Sequence, residues 1–119
     1  MTPERLQAFG AAWARRDVDA LMSFVTDDCI YIASVGPEPG RTYTGREAVR
    51  SGFEELLRYD AKAKSGGGRV FIAGDRGIFE WSYIFTDESG RETELKGVDL
   101  FEFVGDKISR KDSYRKTYP

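Results

Sequence analysis

The chain has no histidine among its 119 residues. That absence excludes Ser-His-Asp and Cys-His nucleophile systems and removes the commonest zinc ligand. Any proton transfer must then use Asp, Glu, Lys, Tyr or Cys. Cysteine is nearly absent too. The single Cys29 excludes an internal disulfide and gives no CxxC metal spacing. It follows two acidic residues, has no cationic neighbour in sequence to lower its pKa, and reads as core. No apolar run approaches membrane-spanning length, and "MTPERLQAFGAAWARRD" lacks the apolar stretch of a signal peptide. The expectation is a cytoplasmic protein with no membrane partner. Charge excess is missing as well: 18 basic and 20 acidic residues leave a net −2, which gives no nucleic-acid footprint.

What is present fits one domain over residues 1–119. Hydrophobic residues make up 40% and aromatics 13%, enough for one core plus a lined cavity. Thr2-Pro3 places a capping residue before a helix-starting proline, and Leu6, Phe9, Ala12 and Trp13 recur at helical spacing. A helix over 3–15 follows. Asp17 then caps a second helix, with Ala20, Leu21, Phe24 and Val25 as its apolar stripe. "CIYIASV", 29–35, reads as a strand, broken by the prolines and glycines of "GPEPGRTY". Thr44-Gly45-Arg46-Glu47 reads as a capping box, opening a third helix carried by Ala48, Val49, Phe53, Leu56 and Leu57.

From residue 61 the pattern turns to strands. "RVFIAG" and "GIFEWSYIFT" flank Asp75-Arg76-Gly77, a tight-turn sequence. "DESGRE" leads into a strand over 92–104, and "GDK" into one over 107–117. Gly66-Gly67-Gly68 reads as a flexible interruption. Three helices and a meander of long antiparallel strands make an α+β plan. A strongly twisted sheet of this size curls, and helices on its concave side close a cone around an apolar pocket.

Alternation puts Asp99, Phe101 and Phe103 on one face of their strand. With a turn at Val104-Gly105-Asp106, Lys111 falls opposite Asp99, and Ser113 and Arg115 share its face. An ion pair in an apolar hollow is costly unless well hydrogen-bonded. It serves either as a proton-transfer centre or as a cross-strand pair that fixes register. Trp81, Tyr83 and Phe85 alternate on another strand and should line the same cavity, where Tyr31 and Tyr83 would orient a carbonyl-bearing ligand. Phe9 and Trp13 read as core packing. Glu80 and Glu102 face away, and the charge run Arg110, Lys111, Arg115 and Lys116 has a solvated face as its simplest reading.

The order of "AFGAAWARRDVDALMSFVTDDCIYI", "TYTGREAVRSGF", "GVDLFEFVGDKI" and "KDSYRK" resembles the nuclear transport factor 2-like superfamily over nearly the whole chain. That superfamily includes SnoaL-like polyketide cyclases, ketosteroid isomerases and limonene epoxide hydrolases. The resemblance implies a cystatin-like α+β roll that forms homodimers through its convex sheet and directs the Asp99 face into the cone. By position, the isomerase base matches Ala33, its first-helix hydroxyl Phe9, and its second donor Asp99. The hydrolase Asp-Arg-Asp trio matches Tyr83, Phe85 and Ser113, and the cyclase His and Asp match Lys111 and Ser113. Both a ketosteroid isomerase and an Asp-Arg-Asp epoxide hydrolase are thereby disfavoured.

What remains closest is the broad SnoaL-like group. It implies a lyase or isomerase, cyclase-like, without metal or organic cofactor, acting by proton transfer on a small apolar carbonyl compound. Asp99 and Lys111 are its catalytic candidates. Tyr31, Trp81, Tyr83, Phe101, Phe103 and Ser113 are its substrate-binding candidates. The competing class is a non-catalytic module of the same fold that holds a hydrophobic ligand or serves in dimerisation.

Overall fold

The computed structural model describes residues 1–37 and 39–117, so Glu38 within "GPEPGRTY" lies outside the described residues. Helix α1, Pro3–Ala14, starts where expected: the Thr2 hydroxyl accepts from the Arg5 backbone N–H at 3.1 Å, and Pro3 occupies the first turn. Its buried face carries Leu6, Phe9 and Ala12. Helix α2, Val18–Met22, is capped by Asp17 but is a single short turn. Phe24 and Val25 do not extend its stripe. Val25 opens strand β1, Val25–Ile32, which begins and ends earlier than the expected 29–35. Pairing with a neighbouring strand, rather than hydrophobic run length, sets those ends.

Strand β2, Thr42–Thr44, is too short to stand out in sequence and pairs antiparallel with β1. Helix α3, Arg46–Tyr59, follows without a capping box. Gly45 is its N-cap and no side chain caps it, because Thr44 still belongs to β2 and the Gly45 N–H donates to the Cys29 carbonyl at 2.8 Å. The ladder thus continues one residue past the point where the cap was expected.

Strands β3 (Lys64–Gly67), β4 (Val70–Ala73), β5 (Arg76–Thr86), β6 (Glu92–Val104) and β7 (Lys107–Arg115) complete one seven-stranded sheet. Its order is β2-β1-β7-β6-β5-β3, with β4 also on β5. The β4–β5 turn is Gly74-Asp75, one residue earlier than expected, since Ala73 already faces Arg76. The sheet is curved, unclosed and mixed, because β7 runs parallel to β1 while all its other pairings are antiparallel. Gly66 and Gly67 of the glycine run end β3, and Gly68 falls in the break before β4. A Cβ at Gly68 would lie 1.5 Å from the Glu80 carbonyl oxygen, so the run also permits close backbone approach to β5 at this break.

The helices cover the inner face of this sheet, and Phe9 sits at the centre of the core. Its ring meets Phe24, Phe53 and Phe101 edge-on at centroid distances of 5.7, 6.2 and 5.9 Å. The outer face leaves Phe71, Ile78, Leu100 and Tyr114 exposed. No helix among the described residues is long and apolar enough to cross a membrane.

Arg16 joins the two ends of the helical layer. Its backbone has φ 61°, a left-handed conformation uncommon for arginine. Its guanidinium donates to the carbonyls of Leu57, Asp60, Ala61 and Ala63 at 2.9, 3.3, 3.1 and 3.2 Å. A cation thereby caps carbonyls at and just beyond the C-terminal end of α3. Arg16→Asn tests which feature matters, since Asn tolerates this φ but cannot reach the carbonyls. The expected outcome is a loss of about 1–3 kcal/mol in urea unfolding; an unchanged or raised stability would show that backbone strain outweighs the clamp.

Candidate functional site

Between the sheet and the helices lies a cavity of about 280 Å³, near the lower end of ordinary small-ligand pockets at roughly 300 Å³. Strand alternation supplies one wall: Phe79, Trp81 and Tyr83 from β5, Asp99 from β6, and Lys111, Ser113 and Arg115 from β7. Tyr31 of β1, the register partner of Lys111, extends this wall with Ser34 beyond it. The opposite wall includes Gly10 and Trp13 of α1 and Leu56 and Asp60 at the end of α3.

The register that brings Asp99 and Lys111 together differs from the simple hairpin. Asp99 faces Ser113, and Lys111 faces Phe101. The turn contains two residues, Gly105 and Asp106, and Ser109 bulges between Ile108 and Arg110. Each departure moves the pairing by one residue. Together they move it by two, which preserves the face.

The pair is well enclosed, with side-chain exposures of 6% for Lys111 and 10% for Asp99. Lys111 Nζ lies 3.3 Å from Asp99 Oδ2 and donates to Ser113 Oγ at 2.9 Å. It also stands over the rings of Trp13 at 4.5 Å and Tyr31 at 4.6 Å, where the aromatic faces attract a cation. The other Asp99 oxygen accepts from Trp81 Nε1–H at 3.0 Å. Gly97 makes room for that donor: a Cβ there would lie 2.1 Å from the Trp81 ring.

Burial pushes the Lys111 amine below its ordinary value of 10.5, against the attraction of Asp99. Burial raises Tyr31 well above 10, with Asp99 adding to the rise. Tyr83 is pushed up to about 12 by burial, although the hydrogen bond from Trp13 opposes this. That bond, Trp13 Nε1–H to the Tyr83 hydroxyl at 2.7 Å, ties α1 to β5 across the cavity. Trp13 is therefore part of the cavity wall as well as a neighbour of the core.

A second ion pair joins the two walls. Arg115 donates to both Asp60 oxygens, at 3.0 and 2.6 Å, and through Nε to Ser34 Oγ at 3.1 Å. Side-chain exposures are only 9% and 3%. Burial acts to lower the guanidinium pKa, but the Asp60 hydrogen bond and charge overcome it and hold it above the ordinary range. The solvated reading of the charge run fails at Lys111 and Arg115. It holds for Lys116, which is exposed, while Arg110 is half-buried against Glu102 and Asp112. Alternation along β7 separates the two kinds.

Tyr31, Trp81, Tyr83, Asp99, Lys111 and Ser113 all line the cavity. Phe101 and Phe103 do not. They are core residues, stacked on one another at 5.9 Å, with Phe101 against Phe9 and Phe103 over Gly77. Phe85, on the same strand as Trp81 and Tyr83, lies beyond the cavity wall and meets Tyr83 edge-on at 6.2 Å. Asp60 and Ser34 join the site without having been singled out from sequence, and Arg115, placed on the Lys111 face but read as solvated, joins it as well. Cys29 is buried, and burial raises its thiol pKa. No three His, Cys, Asp or Glu side chains among the described residues cluster as metal ligands would.

This geometry can be set beside known proteins. A protein of Pseudomonas putida proposed to be a polyketide cyclase is 20% identical, with a TM-score of 0.77 over 98% of this chain and 92% of that one. A hypothetical protein of Catenulispora acidiphila with a ketosteroid isomerase-like fold is 24% identical, with a TM-score of 0.72 over 96% of this chain and 86% of that one. A nuclear transport factor 2-like protein of unknown function from Mesorhizobium loti is 22% identical, with a TM-score of 0.77 over 96% and 89%. At such identities these likenesses speak for the fold. No curated protein sequence matches this one. The family profile of the SnoaL-like domain, however, matches residues 6–111, a span running from Leu6 in the core to Lys111 in the cavity. The chain belongs to the SnoaL-like domain family.

Proposed function

We propose that the cavity takes a small apolar carbonyl compound and that the protein is a cofactor-independent lyase or isomerase of the cyclase-like kind. The observation that carries this reading is the Asp99–Lys111 pair, 3.3 Å apart on the wall of an aromatic cavity. Asp99 takes a proton from the carbon next to the carbonyl. The electron pair moves onto the carbonyl oxygen, where the Lys111 ammonium stabilises the developing charge. Trp81 holds the carboxylate in place, Tyr31 and Tyr83 orient the ligand, and Ser113 positions the amine. Shelter from water strengthens each of these electrostatic contacts. The structural relatives support a small-molecule role: the Catenulispora acidiphila protein was solved with trimethylamine.

A second reading is a binding module without turnover. It is favoured by Phe9 and Ala33, which stand in the core where an isomerase would have a hydroxyl and a base. We also propose a homodimer through the outer sheet face. Pairing aligns Phe71, Ile78 and Leu100 in one exposed apolar row, with Tyr114 exposed nearby. A cytoplasmic setting suits the lone buried thiol of Cys29.

Deuterium wash-in at the α-carbon of cyclohexanone, followed by NMR, tests catalysis. Asp99→Asn should slow the exchange by about 10²–10⁴-fold. A variant that loses melting temperature but keeps both exchange and ligand affinity would make Asp99 structural.

The charge state of Lys111 is read from stability against pH. Its folded-state value lies below 10.5, so the unfolded chain keeps this proton at pH values where the folded chain has released it. Stability therefore rises with pH from the lowered value toward 10.5. Cys29→Ala removes the thiol whose raised folded-state value acts with the opposite sign. In that background urea unfolding should show the rise at pH values below about 10, where the unfolded chain's tyrosines begin to ionise, and Lys111→Met should flatten it.

For the assembly, sedimentation of a Leu100→Glu, Ile78→Glu double variant should give a monomer at concentrations where the unaltered chain pairs. An unaltered chain that is itself monomeric removes the dimer.

A further inference from the structure

We propose that Lys111 is a covalent nucleophile, an amine that condenses with the carbonyl of a ligand in the cavity to form a protonated imine. This inference rests on the reading that the cavity admits a carbonyl compound, and it concerns a different step from the one proposed above.

Three features bring a nucleophile, its proton acceptor and an orienting group into contact. Lys111 Nζ is on the cavity wall, 3.3 Å from Asp99 Oδ2, and Asp99 Oδ1 is fixed by Trp81 Nε1–H at 3.0 Å. Amine, adjacent base and a group that holds the base are the parts an activated side-chain nucleophile needs. The aromatic faces of Trp13 and Tyr31 confine the amine from two sides, and Ser113 Oγ accepts one of its hydrogens. Besides Asp99, the charged or titratable groups that act on it are Arg115, Asp112 and the neighbouring Tyr31. Burial is the largest influence and favours the free amine, the form that attacks.

The proton account closes within this pair. The Lys111 ammonium gives one proton to the Asp99 carboxylate. The free amine then bonds to the carbonyl carbon as the C=O π bond breaks, and the oxygen takes the proton from Asp99. The nitrogen, now carrying a positive charge, returns a proton to Asp99, giving a carbinolamine. Asp99 protonates the departing hydroxyl, the C–O bond breaks, water leaves, and the nitrogen lone pair closes the C=N bond. The products are a protonated imine and one water, with Asp99 again a carboxylate. No oxidant or cofactor enters. The imine then withdraws electrons from the neighbouring carbon more strongly than the ketone did, and Asp99 stands beside it to accept that carbon's proton.

Reductive trapping tests the proposal on the unaltered protein. Incubation with cyclohexanone and cyanoborohydride near neutral pH reduces any imine to a stable secondary amine, and peptide mass mapping locates it. Lys62, Lys64, Lys96, Lys107 and Lys116 act as internal controls, four of them exposed and Lys107 half-buried. The expected result is that Lys111 is the first and most heavily labelled lysine, because burial leaves more of its amine unprotonated. Lys111→Arg should lose the adduct, and Trp81→Phe, which frees Asp99 while keeping the amine, should slow it. Labelling confined to the other lysines, or no labelling, overturns the proposal. Deuterium wash-in measured alongside separates the two claims: exchange without an adduct on Lys111 rejects the imine and leaves non-covalent proton transfer standing, whereas absence of both removes both.

Discussion

The Lys111 ammonium stands out of reach of bulk water, and the surrounding structure is arranged to make that tolerable. A buried cation loses its hydration, and only an opposite charge with further hydrogen bonds restores the balance. Asp99, Ser113 and the faces of Trp13 and Tyr31 supply that environment. Removal of either charge would strand the other, at a cost of about 3–5 kcal/mol. The second pair obeys the same constraint: Asp60 is held at the end of α3 because Arg115 meets both of its oxygens. Two cations and two carboxylates therefore share one hollow without net charge, which suits a largely apolar guest better than a free ion.

The elements that carry these groups are tied to one another at few points. Trp13 bonds Tyr83 from helix to sheet, Arg115 bonds Asp60 from sheet to helix, and Arg16 clamps the carbonyls around Asp60. Of these ties only the Arg16 clamp lies outside the cavity lining, so the site depends on residues that face the ligand and on one that does not. Gly97 and Gly68 belong with them, because each admits a neighbour that any Cβ would displace.

Much of the architecture was legible in the sequence, since helical spacing and strand alternation are direct records of burial. The inward face of β7 is the instructive part. A three-residue turn with no bulge predicts the correct face for Lys111, while the real hairpin has a two-residue turn and a bulge at Ser109. Parity survives an even displacement, so the face was readable and the partner was not. Arg115 shares that parity, yet sits in a charge run that looks solvated until the sheet covers it. Asp60 was illegible for another reason: nothing local in "LLRYDAKA" tells where the end of a helix will point in space. Phe101 and Phe103 share a face with Asp99, but one face of a long strand serves both core and cavity, and only the packing of α1 divides them.

Strand β7 enters the sheet between β1 and β6, both of which precede it in the chain. As the polypeptide leaves the ribosome, those two strands expose facing edges that no earlier segment can bridge. Lys111, Ser113 and Arg115 arrive together on the strand that closes this gap. Asp99 meets Lys111 as the local β6–β7 hairpin closes, whereas Asp60 meets Arg115 across a long stretch of chain, the kind of contact that slows folding.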